Sequence, residues 1–340
     1  MILSRIIGFR GYIWLWLGGY VSASEDKIDP DSLAALKKLL LQFPGGINAI
    51  GDLSKRRLAL NSITKKITEI EHSDIEVRDF LVPSSNQDRN IALRAYSAKN
   101  GRDNELKPCL FYVHGGGMIM GDLETGNLQC LSFASRFNLI VIAIDYRKSP
   151  EFPYPAAIND CFDGITWIAS NCELFDIDPT NIGIYGSSAG GGLALGTALK
   201  IRDAGLAILK YMLPIYPMID NSNSSASSLE ITNLGIWDRD TNLAAWNWYL
   251  NGAIADEYAA PARAEDLSKL PPCYSDVGNF DLFRDENSLF FERLAMAGVP
   301  TEFKVFPGAF HGSENLAPES ALSKEIWENR FRALQRFIEQ

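Results

Sequence analysis

Asn181-Ile182-Gly183-Ile184-Tyr185-Gly186-Ser187-Ser188-Ala189-Gly190-Gly191-Gly192-Leu193-Ala194-Leu195 is the stretch whose reading decides the fold. Its first five residues read as an apolar strand, and its last five as a helix built from small residues. Between them, Gly186 to Gly190 spells G-x-S-x-G. At a strand-to-helix junction this pattern marks a sharp turn that lifts one serine, here Ser188, above a sheet edge. Glycine is needed two residues before and two after the serine because the turn brings neighbouring backbone very close.

Outward from this turn, apolar strands alternate with helices. Toward the N-terminus lie strands at Ile75–Val82, Ile91–Tyr96, Leu110–Val113 and Leu139–Ile144, with helices near Gly126–Phe137 and Ala156–Ala169. Toward the C-terminus come strands at Leu209–Ile215, closed by Pro214 and Pro217, then Pro272–Val277 and Glu302–Phe306, and a closing helix at Ser320–Ile338. Asp29 to Ile67 reads as helices, with Asp29-Pro30 as a start signal and Leu33, Leu36, Leu39 and Leu40 at helical spacing. Continuous apolar strands separated by helices predict an α/β fold with a mostly parallel eight-stranded sheet and helices on both faces. The stretch 218–262 breaks the alternation with a Ser/Asn-rich loop and an aromatic cluster, Trp237, Trp246, Trp248 and Tyr249, and reads as an inserted lid. The expected organisation is an apolar arm at 1–28, N-terminal cap helices at 29–70, a catalytic core at 71–217 and 263–340, and a cap insert at 218–262.

With 340 residues, 46% of them hydrophobic, the chain can bury a large core. A net charge of -10 argues against nucleic acid, whose phosphates demand a basic face. Cys109, Cys130, Cys161, Cys172 and Cys273 are odd in number and show no C-x-x-C spacing, so neither a disulfide framework nor a metal site is expected. Near the start, Arg5 and Arg10 precede the apolar run Tyr12–Leu17 and the small residues Val21-Ser22-Ala23, a signal-like pattern too short to span a bilayer as a helix. Gly18 and Gly19 interrupt it, so the expectation is a retained arm on a cytoplasmic protein, with export as the alternative and no stable membrane insertion. A homodimer would cover the arm from Ile2 to Tyr20.

Two further motifs fall in a chemically meaningful order. His114-Gly115-Gly116-Gly117 follows the strand ending at Val113. A glycine run there can turn N–H groups toward one point, which suits an oxyanion developing on an attacked carbonyl. The expected donors are the N–H groups of Gly115, Gly116, Gly117 and Ala189, with His114 anchoring the loop. A serine needs a general base, and only His72, His114 and His311 exist. His72 sits in a polar linker, whereas His311 follows a strand end at the same sheet edge as Ser188. Three aspartates compete for the orienting carboxylate. Asp276 lies within a strand, Asp285 opens a helix where acidic residues suit the dipole, and Asp281 sits just past a strand end and is preferred. The order Ser188, Asp281, His311 is that of the α/β-hydrolases.

At this point the chain resembles the hormone-sensitive lipase-like α/β-hydrolases, the bacterial family IV esterases. The stretches carrying the resemblance are His114–Gly117, Asp145-Tyr146-Arg147 with Pro150-Glu151 and Pro153–Ala157, Gly186–Gly191, Asp281–Glu286, and Gly298-Val299-Pro300 with His311-Gly312. It implies a carboxylesterase acting on short acyl chains, no cofactor, and a helical cap. Two positions depart from the pattern: Ser187 stands where many relatives have Asp, and Ser313 where many have Phe after the His-Gly pair. Met118, near the glycine loop, and Trp237 are the expected substrate contacts. An inactive ligand-binding scaffold is a rival reading, and an amidase or lactonase using the same triad another.

Overall fold

The computed structural model describes residues 25–67, 74–99 and 106–340; His72 and the arm residues 1–24 lie outside them. Helices α1 (Pro30–Gln42) and α2 (Leu53–Ile67) precede strands β1 (Ile75–Pro83), β2 (Asn90–Ala98) and β3 (Lys107–Val113). Then follow α3 (Asn127–Phe137), β4 (Ile140–Asp145), α4 (Ala156–Ser170), β5 (Ile177–Ser187), α5 (Ala189–Asp203) and β6 (Leu209–Ile215). The insert supplies α6 (Ala226–Glu230) and α7 (Arg239–Leu250). The chain closes with β7 (Cys273–Phe280), α8 (Arg284–Met296), β8 (Thr301–Phe310), α9 (Ser313–Leu316) and α10 (Ala321–Glu339). Asp29 starts α1 as expected, its carboxylate accepting the Ser32 N–H at 2.8 Å.

All eight strands form one sheet in the order β1-β2-β4-β3-β5-β6-β7-β8. β1 and β2, and β2 and β4, pair antiparallel; every other pair is parallel. Parallel strands point their C-terminal ends to one edge, so Val113, Ser187, Ile215, Phe280 and Phe310 all deliver loops there. The core strands read as continuous apolar runs because both faces are covered: Phe111 and Ile184 pack on one side, Leu110 and Tyr185 on the other.

Two strand ends differ from expectation. Pro214 does not close β6 but lies inside it, opposite Gly186 of β5. The ladder from β6 to β7 is reduced there to the single pair Met212–Cys273, so a residue lacking an N–H is tolerated. β8 runs on past Phe306 to Phe310, because Pro307 sits on an edge strand and the β7–β8 register shifts between Gly278 and Phe280. The expected loop at Pro307–Phe310 is therefore strand. The aromatic cluster also departs from a free-standing lid. Trp246 and Tyr249 of α7 belong to the main core, and the Tyr249 carbonyl accepts the Tyr154 N–H at 2.6 Å.

Asp276, weighed as the carboxylate that orients the base, has a different partner. Arg330 of α10 donates to both of its oxygens, at 2.8 and 2.7 Å, and to Glu314 of α9 at 2.9 Å. All three side chains are buried, so each charge depends on its neighbours. Arg330→Ala strands two carboxylates without water and is expected to lower the unfolding free energy by about 3–5 kcal/mol. Urea denaturation measures this; a loss below about 1 kcal/mol would show that the cluster is solvated.

Candidate active site

Ser188 has φ 57° and ψ -123°, a conformation that residues with a side chain rarely adopt. Such strain costs of order 1–3 kcal/mol and persists only where the surroundings dictate it. Here the Ser188 N–H donates to Ile215 O at 2.9 Å, and its carbonyl accepts from Met218 at 2.9 Å and Gly192 at 3.1 Å. The flanking glycines are obligatory: a Cβ on Gly186 would run into the Gly190 carbonyl, and one on Gly190 into the carbonyls of Val113 and His114. The turn thus wedges the start of α5 against the end of β3.

Asp281 directly follows β7 and His311 directly follows β8. Because those strands are parallel neighbours, both side chains emerge at one edge. His311 Nδ1 lies 2.7 Å from Asp281 Oδ2, and Nε2 lies 3.0 Å from Ser188 Oγ. An ionised carboxylate can only accept, so Nδ1 carries the proton and the Nε2 lone pair faces the serine hydroxyl. Asp281 Oδ1 accepts the Phe283 N–H at 2.9 Å, fixing the carboxylate. Asp285 is committed elsewhere, accepting from Ser227 N–H at 2.8 Å and Arg284 Nε at 2.7 Å. The Arg284 guanidinium holds its carboxyl below the usual range.

The glycine loop shows how each expected donor is aimed. A trans peptide sets its C=O and N–H antiparallel, so whatever captures one carbonyl aims the next N–H the other way. The Gly115 carbonyl accepts His114 Nδ1 at 2.7 Å, which orients the Gly116 N–H. The Gly116 carbonyl accepts from Ile119 and Met120 at 3.1 and 2.9 Å, which orients the Gly117 N–H. The Ser188 carbonyl bonds given above orient the Ala189 N–H. Among the described residues these three N–H groups donate to no protein acceptor. Gly115 itself packs on the elbow, where a Cβ would lie 2.9 Å from Ser187 O.

His114 stacks on Tyr146 at 4.3 Å, and the Tyr146 hydroxyl donates to the His114 carbonyl at 2.9 Å. Met118 is buried, its carbonyl accepting the Ser149 N–H at 2.9 Å and its methyl packed toward Gly192 of α5. The Trp237 indole lies on Gly117 so closely that a Cβ there would overlap the ring. Ile236 meets Gly312, and Gly235 meets Phe310. This segment packs on the loops beside the site, where Ser188 is 7% and His311 5% exposed. Its other side walls a cleft of about 370 Å³ between α1, the turn at residues 45–49 and the insert; no triad residue lines it.

Several residues beside the triad escaped the sequence reading. The rings of Tyr216 and Phe283 meet His311 edge-on at 4.8 and 5.2 Å. The Tyr216 hydroxyl donates to Glu314 at 2.6 Å, joining the histidine's surroundings to the Arg330 cluster. One signal was available: Arg330 interrupts the apolar stripe Ile326, Ala333, Leu334 of α10.

A family profile described as the alpha/beta hydrolase fold matches residues 110–315, more than half of the chain. The chain belongs to the α/β-hydrolase fold family. It is 32% identical to carboxylesterase NlhH of Mycobacterium tuberculosis over 91% of this chain and 97% of that protein. To esterase LipI of the same organism it is 36% identical over 65% of this chain and 70% of that one. Among solved structures, a bacterial heroin esterase superposes with a TM-score of 0.87 at 30% identity, covering 92% of this chain and 98% of that one. The hormone-sensitive lipase-like resemblance and the eight-stranded, mostly parallel sheet are thereby borne out. No helix among the described residues is long and apolar enough to cross a membrane.

Burial, with the Lys148 charge adding to it, pushes the His114 pKa from 6.5 down to about 3. In the unfolded chain the ring takes up its proton at the ordinary value. Between those two pH values the unfolded state therefore binds the extra proton, and stability falls as pH falls, by up to about 1.4 kcal/mol per pH unit. His114→Asn is expected to flatten that decline, as measured by urea titrations at stepped pH from 6.5 to 3. Unchanged slopes would mean that the folded imidazole protonates freely.

Proposed function

We propose that the chain is a serine carboxylesterase hydrolysing short-chain carboxylic esters through an acyl-enzyme, with Ser188 as nucleophile, His311 as base and Asp281 as its orienting partner. The observation that carries this reading is the His311 ring, hydrogen-bonded to Asp281 on one side and to Ser188 Oγ on the other. Ser188 Oγ attacks the ester carbonyl while Nε2 takes its proton. The negative charge on the former carbonyl oxygen meets the N–H groups of Gly116, Gly117 and Ala189, with Gly115 beside them. As the ester C–O bond breaks, His311 passes the proton to the leaving alcohol. Water then gives a proton to His311 and adds to the acyl-serine, which releases the acid and restores the hydroxyl.

Relatives named as carboxylesterase and esterase support the reaction class. The closeness of Trp237 to Gly117 supports a short acyl group, because the indole takes up space beside the glycine loop. We extend the proposal to a core at 71–217 and 263–340 covered by cap parts at 29–70 and 218–262, and to a cytoplasmic homodimer covering the apolar run Ile2–Tyr20. An inactive scaffold finds no support, since all three groups are present and bonded.

Ser188→Ala is expected to lower kcat by about 10⁶-fold, and full activity in that variant overturns the assignment. Because a protonated His311 cannot accept the serine proton, kcat/KM must fall on acidification; a flat profile from acid to neutral pH contradicts the base. Across p-nitrophenyl esters of rising chain length, activity is expected to peak at short acyl groups, and a maximum on long chains reassigns the enzyme as a lipase.

A further inference from the structure

Arg57 lies on α2, far in sequence from the glycine loop and outside the stretch that the family profile matches. Its guanidinium nonetheless reaches that loop. Nε donates to the Ile119 carbonyl at 2.7 Å, and Nη2 to the Ser149 carbonyl at 2.8 Å. Its outer edge forms a two-pronged pair with Glu151, at 2.8 and 2.7 Å. Ser149 in turn donates its N–H to the Met118 carbonyl at 2.9 Å. One turn further along α2, Asn61 donates to Asp122 Oδ2 at 2.9 Å.

These contacts converge on one turn. The Gly116 carbonyl is captured by the N–H groups of Ile119 and Met120, and peptide planarity makes that capture the device that aims the Gly117 N–H. If the 118–120 backbone rotates, the Gly116–Gly117 peptide rotates with it. Arg57 holds the Ile119 carbonyl and, through Ser149, braces Met118. Only a planar fork can reach two carbonyls and a carboxylate at once; a lysine ammonium offers a single point.

We propose that Arg57 is a positioning residue for the oxyanion donors: the N-terminal helix α2 sets the direction of the Gly117 N–H by clamping the 118–120 turn. The inference rests on the esterase reading above. The clamp acts where charge develops in the transition state and leaves ground-state binding of the ester largely alone, so its loss appears in kcat before KM. The exposed ion pair with Glu151 is the outer half of the contact, and such pairs contribute little.

The test compares Arg57→Ala, Arg57→Lys, Glu151→Gln and Ser188→Ala. In the proteins that keep Ser188, active sites are counted by a phosphonate titration, so that unfolded protein is excluded from those rates; Ser188→Ala, which a phosphonate cannot label, is rated per mole of folded protein. With p-nitrophenyl butyrate, Arg57→Ala is expected to lower kcat per titrated site roughly 10- to 100-fold, less than outright deletion of a donor. KM should stay within about twofold, and affinity for an alkylboronic acid, whose serine adduct carries an oxyanion, should fall by a similar factor to kcat. Arg57→Lys should recover part of the loss, and Glu151→Gln should stay within about twofold of the native enzyme. Native kcat per site in Arg57→Ala overturns the proposal, as does a lowered kcat with unchanged boronate affinity. Activity in Ser188→Ala would instead overturn the esterase reading, so the two failures are distinct.

Discussion

The planarity of the peptide bond is the constraint on which this site depends. An N–H used as a donor to a transient charge cannot be aimed by its own residue; it is aimed by whatever holds the preceding carbonyl. Three such carbonyls, of Gly115, Gly116 and Ser188, are each captured here: by the His114 ring, by the Ile119 and Met120 amides, and by the amides of Gly192 and Met218. His114 therefore works on the site while never touching a reacting atom. Facing a carbonyl, which can only accept, its Nδ1 carries a proton and is a fixed donor to Gly115.

The second constraint is steric and explains the composition of the elbow. Strain at Ser188 is maintained because β5, β6 and α5 meet there with no space to relax. Gly186 and Gly190 are where backbone would otherwise overlap backbone. A strained turn at the end of a central strand is stable only if the sheet below it is rigid. The Asp276–Arg330–Glu314 cluster contributes to that rigidity by tying β7 and α9 to α10, while Glu314 holds Tyr216 against His311.

How much of this was legible in the sequence follows from which interactions are local. The central strands declared themselves because burial on both faces leaves unbroken apolar runs, and the meeting of Ser188, Asp281 and His311 was legible because each follows a strand end. Pro214 and Pro307 misled for the same reason in reverse. A proline closes a strand only where its missing N–H is needed, and that depends on a neighbouring strand the local sequence does not reveal. The Arg330 cluster stayed hidden because its members are spread over Asp276, Glu314 and Arg330, and each alone reads as an ordinary charge. Arg57 is the extreme case: a cationic residue on an N-terminal helix reads as a solvated surface until its partners, two backbone carbonyls some sixty and ninety residues away, are in place.

The insert and the N-terminal helices reach the Ser188–His311 site from two directions. From the insert, Trp237 lies on Gly117 and Ile236 on Gly312, so the residues that exclude water are in contact with the donor loop and with the loop that carries His311. From the N-terminal side, Asn48 donates to the Ile236 carbonyl at 3.0 Å and to Asp238 at 2.8 Å, while Arg57 grips the turn behind the donors. Excluding water strengthens every electrostatic contact inside, and Ser188 and His311 are both buried. Asn48 holds the segment 235–237 through hydrogen bonds near the surface, whereas the carbonyls of Gly115, Gly116 and Ser188 are held from within the protein.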